Sequence, residues 1–297
     1  MSGAAARISA CIVCRDEADR LGPCLESVAW ADETVVMDLR SADDSAELAR
    51  GHGARVISRD PVPIVERVRN EVAGHAGGEW ILVVDPDERV SPGLAAELRR
   101  LAGRDDLDAV VVPRMNHDFG YPPSNPRERY EPQLRMYRRD RVRWPEMPNA
   151  LPAVAEERLA RVAARDELVL VHDRSRTVPE VLDRIVRYAP AQAQAMLDRG
   201  ETFTARAMLA DLGRRAYRQL VQGRAWRDGV PGLLRAGVLV GFHFYVWAAF
   251  WQLSGARRTP EDDRAVRRLG MALAPLRGAL EAAGRLAGLL GRGGRGR

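Results

Sequence analysis

Two groups of acidic side chains in this sequence could bind a cation or a polar ligand. One is Asp85-Pro86-Asp87-Glu88, which directly follows the apolar run Trp80–Val84, and the other is Asp38 with Asp43 and Asp44. Carboxylates at the end of a buried strand are costly unless they meet a cation or hydrogen bonds. A divalent cation that bridges carboxylate and diphosphate oxygens would satisfy them. Because Asp-x-Asp is a weak pattern, an equally good interpretation is a proline turn whose acids cap the next helix.

The elements around these acids predict an α/β fold. Short β-rich runs alternate with helical patterns, which is typical of a doubly wound, mostly parallel sheet. Ligands of such sheets bind beyond the carboxyl ends of the strands, where both acidic groups fall. The predicted strands are Ile8–Cys14, Thr34–Met37, Arg55–Ser58, Trp80–Val84, Ala109–Pro113, Gln133–Tyr137 and Leu168–Val171. The predicted helices are Asp19–Ala29, one that ends near Ala49, Ile64–Ala76, and one from Ser91 to about Leu101.

The three cysteines favour a reducing compartment. Cys11 and Cys14 lie in one predicted strand, where residues three apart point to opposite faces, so they do not form a zinc or redox pair. Cys24 leaves the set odd. We therefore expect buried, reduced cysteines, and the absence of an apolar signal region at the start indicates a cytoplasmic protein.

The order of several segments resembles glycosyltransferase family 2, and within it the branch that contains lipopolysaccharide-core glycosyltransferases. The resemblance extends from about residue 7 to residue 253 and includes His172, Arg187-Tyr188 and Asp228-Gly229. The segments that carry it are, in chain order, Asp16-Glu17, Asp38-Leu39-Arg40-Ser41-Ala42-Asp43-Asp44-Ser45, Arg69-Asn70, Gly78-Glu79-Trp80-Ile81-Leu82-Val83-Val84-Asp85-Pro86-Asp87-Glu88 and Gln133-Leu134-Arg135-Met136-Tyr137-Arg138-Arg139.

The resemblance implies a GT-A-type fold and a hexosyltransferase-like enzyme of cell-envelope biogenesis. Such an enzyme moves a sugar from a nucleotide-sugar donor to a glycan or lipid-linked acceptor, with inversion at the anomeric carbon. It implies a divalent cation, Mg²⁺ or Mn²⁺, at Asp87, with His172 as a further ligand, although a lone histidine at a strand end is more often structural. The implied donor contacts are Asp16, Glu17, Asp38, Asp43, Asn70, Asp85 and Arg135.

The catalytic base is where the chain departs from the family. Similar proteins follow an Arg-x-Arg-Trp segment with Val-His-Glu, and this glutamate is a candidate base. Here Asn149 and Ala150 align with His and Glu, and neither accepts a proton usefully at neutral pH. We predict that Glu146 or Asp118 replaces the base. The alternative is a catalytically degenerate protein that binds a nucleotide sugar or a membrane partner.

The C-terminal region predicts contact with a membrane surface. Residues 237–253 are apolar and aromatic, and three interpretations compete: a transmembrane helix, a helix embedded in the interface, or a helix packed on the catalytic domain. We favour the interface, on the cytoplasmic face of the inner membrane. Residues 256–297 carry ten arginines and four acids, which suits an anionic surface. This arginine-rich end lacks interleaved aromatics and any nucleic-acid module, which argues against a nucleic-acid partner.

The predicted organisation therefore has three parts. Residues 1–176 form the nucleotide-sugar-binding and catalytic domain. Residues 177–255 form an apolar helical region that associates with the membrane. Residues 256–297 form a basic tail that is partly an amphipathic helix, with a disordered end.

Overall fold

A computed structural model of the protein describes residues 6–62, 65–146 and 151–274. The chain divides into two compact units, Met1–Thr177 and Val178–Arg297. Asn149, Ala150 and most of the basic tail lie outside the described residues.

The first unit contains a mixed nine-stranded sheet with helices packed on it. The strands are β1 (Ile8–Cys14), β2 (Glu33–Asp38), β3 (Arg55–Ser58), β4 (Trp80–Val83), β5 (Glu88–Val90), β6 (Ala109–Asp118), β7 (Tyr130–Arg138), β8 (Leu159–Arg161) and β9 (Leu170–Ser175). The helices are α1 (Ala18–Val28), α2 (Ser45–Gly51), α3 (Glu66–Gly74), α4 (Pro92–Ala102) and α5 (Pro126–Arg129). The strand order is β3-β2-β1-β4-β7-β6-β9-β5, with β8 paired to β6.

Most strand pairs are parallel, which confirms the predicted α/β, mostly parallel sheet. Strands β1 to β4 pair in parallel, whereas β7 enters antiparallel between β4 and β6. Several predicted strand bounds were wrong: the strand predicted at Gln133–Tyr137 is Tyr130–Arg138, and the one predicted at Leu168–Val171 is Leu170–Ser175. Strand β6 continues to Asp118 instead of ending at Pro113, and the three-residue strands β5 and β8 are additions. Helix α3 begins at Glu66, after residues 63–64 that are not described.

Apolar side chains fill both faces of the sheet. Ile8, Ile12 and Cys14 belong to one cluster and Cys11 to the other, so Cys11 and Cys14 do point to opposite faces. All three cysteines are free and buried, as predicted. Burial raises the pKa of the Cys11 thiol to about 12, and it has the same effect on Cys14. These thiols therefore act as small apolar groups of the core.

The second unit is helical in the part of the chain that is described. Its helices are α6 (Val178–Asp198), α7 (Ala205–Tyr217), α8 (Gly229–Leu253) and α9 (Pro260–Leu273). Phe203, Trp247 and Phe250 pack edge to face in its core. Asp211 on α7 accepts a hydrogen bond of 3.1 Å from the indole Nε1 of Trp247, which ties α7 to α8.

Helix α8 is apolar around most of its circumference. Together with the preceding turn it gives one stretch among the described residues, Ala225–Leu253, that by length and composition alone could cross a membrane. About 28% of its most apolar window is buried against the protein. Such a stretch is also compatible with a helix that lies on a membrane or packs in a soluble core.

Candidate functional site

The acids of residues 85–88 form a tight turn between β4 and β5. The backbone N–H of Asp85 donates to Oε2 of Glu88 at 3.0 Å, and the N–H of Glu88 donates to the carbonyl of Asp85 at 2.9 Å. The alternative that these acids cap the next helix is wrong. Ser91 is the N-cap of α4, where its hydroxyl accepts from the N–H of Leu94 at 3.3 Å.

A buried arginine holds two of these acids. Nη2 of Arg135, whose side chain is 3% exposed, donates to Oδ2 of Asp85 at 2.8 Å and also to the fully buried Glu88. Nη2 of Arg69 lies 3.6 Å from Oδ1 of Asp85. Burial alone would raise the pKa of Asp85, but Arg135 and Arg69 outweigh it and hold that pKa below its usual range. Asp85 is therefore an ionised acceptor that faces the site.

Arg135 was predicted to contact the donor, and its burial does not fit that prediction. Its guanidinium lies under Asp85 and is used in the contacts to Asp85 and Glu88. Because only 3% of the side chain is exposed, we assign it the positioning of Asp85 instead.

Asp87 and His172 meet at the exposed side of this turn. Nε2 of His172 lies 3.2 Å from Oδ2 of Asp87, and the two side chains are 13% and 24% exposed. The contact follows from the antiparallel pairing of β5 with β9, which places Glu88 opposite His172. Nη1 of Arg20 lies 3.5 Å from the same carboxylate oxygen. Arg20 was not among the predicted site residues, because nothing in the sequence near it indicates that α1 approaches Asp87.

The loops after β1 and β2 are joined through carboxylates. Oδ1 of Asp16 accepts from the N–H of Ala42 at 2.6 Å, and Oδ2 of Asp43 accepts from the N–H of Ala18 at 2.9 Å. Asp38 is buried, and the N–H of Ser41 donates to it at 3.2 Å. Asp16, Asp38 and Asp43 thus shape the edge of the site, and their contact with a nucleotide stays a prediction.

Glu17 is the N-cap residue that precedes α1, beside this loop pair. It lies near Arg20, with Nε of Arg20 3.9 Å from Oε2 of Glu17. Burial raises the pKa of Glu17 to about 7, and the nearby charge of Asp87 contributes in the same direction. The carboxyl therefore changes charge in the physiological pH range.

Asn70 holds the segment that carries the candidate base. Its Nδ2 donates to the carbonyl of Trp144 at 2.8 Å, and its Oδ1 accepts from the N–H of Trp144 at 2.9 Å. An open cavity of about 540 Å³ lies next to this clamp and is lined by Asn70, Arg143 and Glu146, among others. Glu146 is exposed there. Asn70 therefore positions the chain just before Glu146.

Asp118, the other candidate base, does not face open space. It is 4% exposed, and both of its oxygens accept hydrogen bonds from Arg174, one of them at 2.9 Å. A base must reach the hydroxyl that it deprotonates. We therefore correct the prediction and retain Glu146 alone.

The Asp87–His172 pair has the geometry of two neighbouring ligands of a cation. An octahedral ion with bonds of about 2.1 Å places adjacent ligand atoms about 3 Å apart, and the observed separation is 3.2 Å. The residues that the structure describes contain no group of three or more His, Cys, Asp or Glu that could hold a metal ion. Two protein ligands would leave room for diphosphate oxygens and water, as Mg²⁺ and Mn²⁺ commonly require.

Comparison with known families matches the first unit. The family model for glycosyl transferase family 2 matches residues 9–155. The lipopolysaccharide core biosynthesis glycosyltransferase LpsC of Rhizobium meliloti is 24% identical over 269 residues, which cover 87% of this chain and 97% of that protein. A TPR repeat-containing protein of Synechococcus elongatus is 34% identical over 124 residues, 41% of this chain and only 31% of that protein.

The chain also aligns with a solved glycosyltransferase structure. The mannosyltransferase PcManGT of Pyrobaculum calidifontis, in complex with GDP-Man and Mn²⁺, aligns with a TM-score of 0.47 and 16% identity over 92% of this chain and 81% of that chain. The match to family 2 and the similarity to LpsC confirm the family that the sequence resembles. Residues 9–155 are therefore a glycosyltransferase family 2 domain, and the chain is a glycosyltransferase of the GT-A-type α/β fold that is similar to the lipopolysaccharide-core branch.

Proposed function

We propose that this glycosyltransferase transfers a sugar from a nucleoside diphosphate donor to a cell-envelope glycan or lipid-linked acceptor, with a divalent cation at Asp87 and His172. The observation that carries the proposal is the 3.2 Å separation of these two side chains at the exposed side of the turn. A cation bound there would offset the negative charge that develops on the departing nucleoside diphosphate.

The residues around the Asp87–His172 pair bind different parts of the donor. Asp85, kept ionised by Arg69 and Arg135, accepts hydrogen bonds from hydroxyls of the ribose or the donor sugar. Arg20, 3.5 Å from Asp87, adds positive charge where the phosphates would lie. The loop carboxylates Asp16, Glu17, Asp38 and Asp43 and the clamp residue Asn70 form the remaining donor side.

Glu146 serves as the base toward the acceptor. It takes the proton of the attacking hydroxyl while the oxygen bonds to the anomeric carbon and the bond from that carbon to the diphosphate breaks. Attack opposite the leaving group inverts the anomeric centre. This assignment is supported by the exposure of Glu146 and by the clamp that Asn70 makes on Trp144.

The helical unit associates with the cytoplasmic face of the membrane. One side of α8 exposes apolar side chains at helical spacing, namely Val230, Leu233, Leu234, Phe244, Tyr245 and Trp251. On α9, Arg264, Arg267 and Arg268 lie beside Met271. Apolar side chains with adjacent arginines suit the interface of an anionic bilayer, where lipid-linked acceptors are found.

The donor site is tested by the binding of nucleoside diphosphates. UDP and GDP should each be titrated by calorimetry with and without Mn²⁺, and at least one of them should bind only with the cation. Asp87→Asn should weaken that binding at least tenfold, because it removes the charged ligand. Asp106→Asn, a change of the same kind at an exposed acid, is the control. Unchanged affinity in Asp87→Asn would rule out the cation assignment.

A further inference from the structure

A line of polar contacts runs from the Asp87–His172 pair across strands β9, β6 and β7. Nδ1 of His172 lies 2.6 Å from Oδ1 of Asn116, and Nδ2 of Asn116 lies 3.0 Å from Oε2 of Glu131. Three strands supply these residues in direct register. Asn116 on β6 is opposite His172 on β9, and Arg114, two residues earlier on the same face of β6, is opposite Glu131 on β7.

Glu131 determines which way the Asn116 amide faces. Its Oε2 also accepts from Nη2 of Arg114 at 2.6 Å. Burial would raise the pKa of Glu131, but the hydrogen bonds from Asn116 and Arg114 outweigh it and lower that pKa. The ion pair with Arg114 and the 45% exposure of the Glu131 side chain by themselves keep the carboxylate ionised, so it can only accept. The NH₂ group of Asn116 must face it, so the carbonyl Oδ1 of Asn116 faces His172.

The facing carbonyl in turn fixes the tautomer of the imidazole. Oδ1 of Asn116 can only accept, so Nδ1 of His172 carries the proton and donates it. In the neutral ring the lone pair then lies on Nε2, which faces Oδ2 of Asp87 at 3.2 Å. Two acceptors at this distance repel each other unless a metal cation, or a second proton on the ring, joins them. Metal-binding histidines commonly have their second ring nitrogen held in this way.

We propose that Asn116 and Glu131 are positioning residues that orient His172, so that its Nε2 is presented to a cation shared with Asp87. The inference rests on the proposed cation site and goes beyond it. Asn116 holds the ring through its carbonyl, and Glu131 holds Asn116 through the amide. Neither side chain contacts the cation in this arrangement.

The test measures the affinity for Mn²⁺ alone, because this readout needs neither donor nor acceptor. Free Mn²⁺ is counted by electron paramagnetic resonance, well below the unfolding temperature of each variant. Asn116→Leu, similar in size, removes both hydrogen bonds and should raise the Kd for Mn²⁺ by about 10- to 100-fold. Asn125→Leu also removes a hydrogen-bonded asparagine, at the cap of α5, and should leave the Kd unchanged.

A double substitution separates positioning from simple packing. In Asn116→Asp with Glu131→Gln, the carboxylate and the amide exchange places, so residue 116 still accepts from His172 and residue 131 now donates. This pair should restore the Kd to within a few-fold of the unmodified chain. Asn116→Leu with Glu131→Gln should not.

The outcomes are distinct. A lower unfolding temperature in Asn116→Leu with an unchanged Kd would overturn the inference and leave the cation site intact. Failure of the exchanged pair to restore affinity, with the pair folded, would also overturn it. If the unmodified chain does not bind Mn²⁺ at all, the cation site and the inference fall together.

Discussion

Oδ2 of Asp87 and Nε2 of His172 lie 3.2 Å apart although the residues are 85 positions apart in the sequence. The three-residue strand β5 makes this contact possible, because its antiparallel pairing with β9 places Glu88 opposite His172. Asp87, the residue before β5, is thereby carried to the imidazole. The backbone N–H of Asp173 completes the junction by donating to the carbonyl of Asp87 at 2.9 Å. Strand β5, although only three residues long, thus sets the position of the two candidate cation ligands.

Replacement of the candidate base Glu146 should lower the rate of sugar transfer without changing the affinity for the donor. Glu146→Gln keeps the size of the side chain but cannot take up the acceptor proton, so we expect the rate to fall by about 10²- to 10⁴-fold. Nucleoside diphosphate release from the donor gives the rate, and calorimetry should show unchanged donor affinity. Glu156→Gln, at an exposed glutamate, is the control. Unchanged turnover in Glu146→Gln would remove Glu146 from the mechanism, and no turnover in the unmodified chain across donors would favour a degenerate enzyme.

Removal of the buried Arg135 should lower the urea concentration at which the first unit unfolds. Arg135→Met leaves Glu88, which has no exposed surface, with only the longer contact of 3.4 Å to Arg114, and breaking a buried pair costs about 3–5 kcal/mol. Urea unfolding measures the loss. Glu88→Gln combined with Arg135→Met should be less damaging than Arg135→Met alone, because the buried and only partly compensated charge of Glu88 is gone. Arg127→Met, at an exposed arginine, should change stability little. Equal stability of the two arginine variants would contradict the structural role of Arg135.

The parts of the fold with continuous apolar runs could be predicted from the sequence. Ile8–Cys14 was predicted with the observed bounds, and Trp80–Val84 was one residue too long. Strands β5 and β8 have only three residues, Glu88–Val90 and Leu159–Arg161, which is too short for an alternation to be seen. Strand β6 was cut short because polar residues that face the site, such as Asn116, break its apolar pattern.

The sequence predicted those site residues that lie in one continuous segment. It did not predict the residues that different strands and helices bring to the site. Asp85 and Asp87 were recognised because they directly follow a buried strand. Three further residues belong to the site only because the fold brings their elements together, and no local sequence pattern indicates this. They are Arg20, Asn116 and Glu131. The burial of Asp118 also depends on a partner from another strand, Arg174.

The carboxyl of Glu17 should make stability depend on pH. Burial raises its pKa to about 7 from an ordinary value of 4.5, so between these values the folded chain keeps a proton that the unfolded chain loses. The contribution of Glu17 to the free energy of unfolding is therefore fully present below pH 4.5 and is lost as the pH rises through 7. Because the side chain is 36% exposed, solvent screening reduces the effect to about 1 kcal/mol.

Urea unfolding of the metal-free chain at pH 4 and pH 8 measures the dependence on Glu17. Glu17→Gln should match the unmodified chain at pH 4 and be more stable at pH 8. Glu26→Gln, on the exposed side of α1, is the control. A gain of equal size at both pH values would mean that the effect of Glu17 is not one of charge.

The exposed face of α8 should bind anionic bilayers. Leu233→Asp with Phe244→Asp places two charges on this face, and charged side chains enter the bilayer interface poorly, so binding to phosphatidylglycerol vesicles should fall at least tenfold. Flotation with the vesicles measures binding. Leu151→Asp, at an exposed leucine of the first unit, should have no effect. If the protein in cell membranes resists extraction by alkaline carbonate, α8 spans the bilayer and the interfacial assignment is wrong.

Two glycines of α8 should respond to alanine with opposite signs. A Cβ at Gly232 would overlap the carbonyl oxygen of Ala225 and lie 2.6 Å from Cβ of Asp228, so the turn Ala225–Asp228 must move away from the helix. Overpacking of this kind costs about 1–3 kcal/mol. A Cβ at Gly237 meets no atom within 4 Å, so Gly237→Ala should gain about 0.5–1 kcal/mol through helix propensity.

Hydrogen exchange of peptides from α8 reports the free energy of local opening for each glycine variant. Gly232→Ala should speed exchange in the first turns of the helix, and Gly237→Ala should slow it around the substitution. Since both changes add one methyl group to the same helix, propensity alone would predict slower exchange in both. Slower exchange in Gly232→Ala would therefore show that the turn Ala225–Asp228 does not pack on α8 as closely as the structure has it.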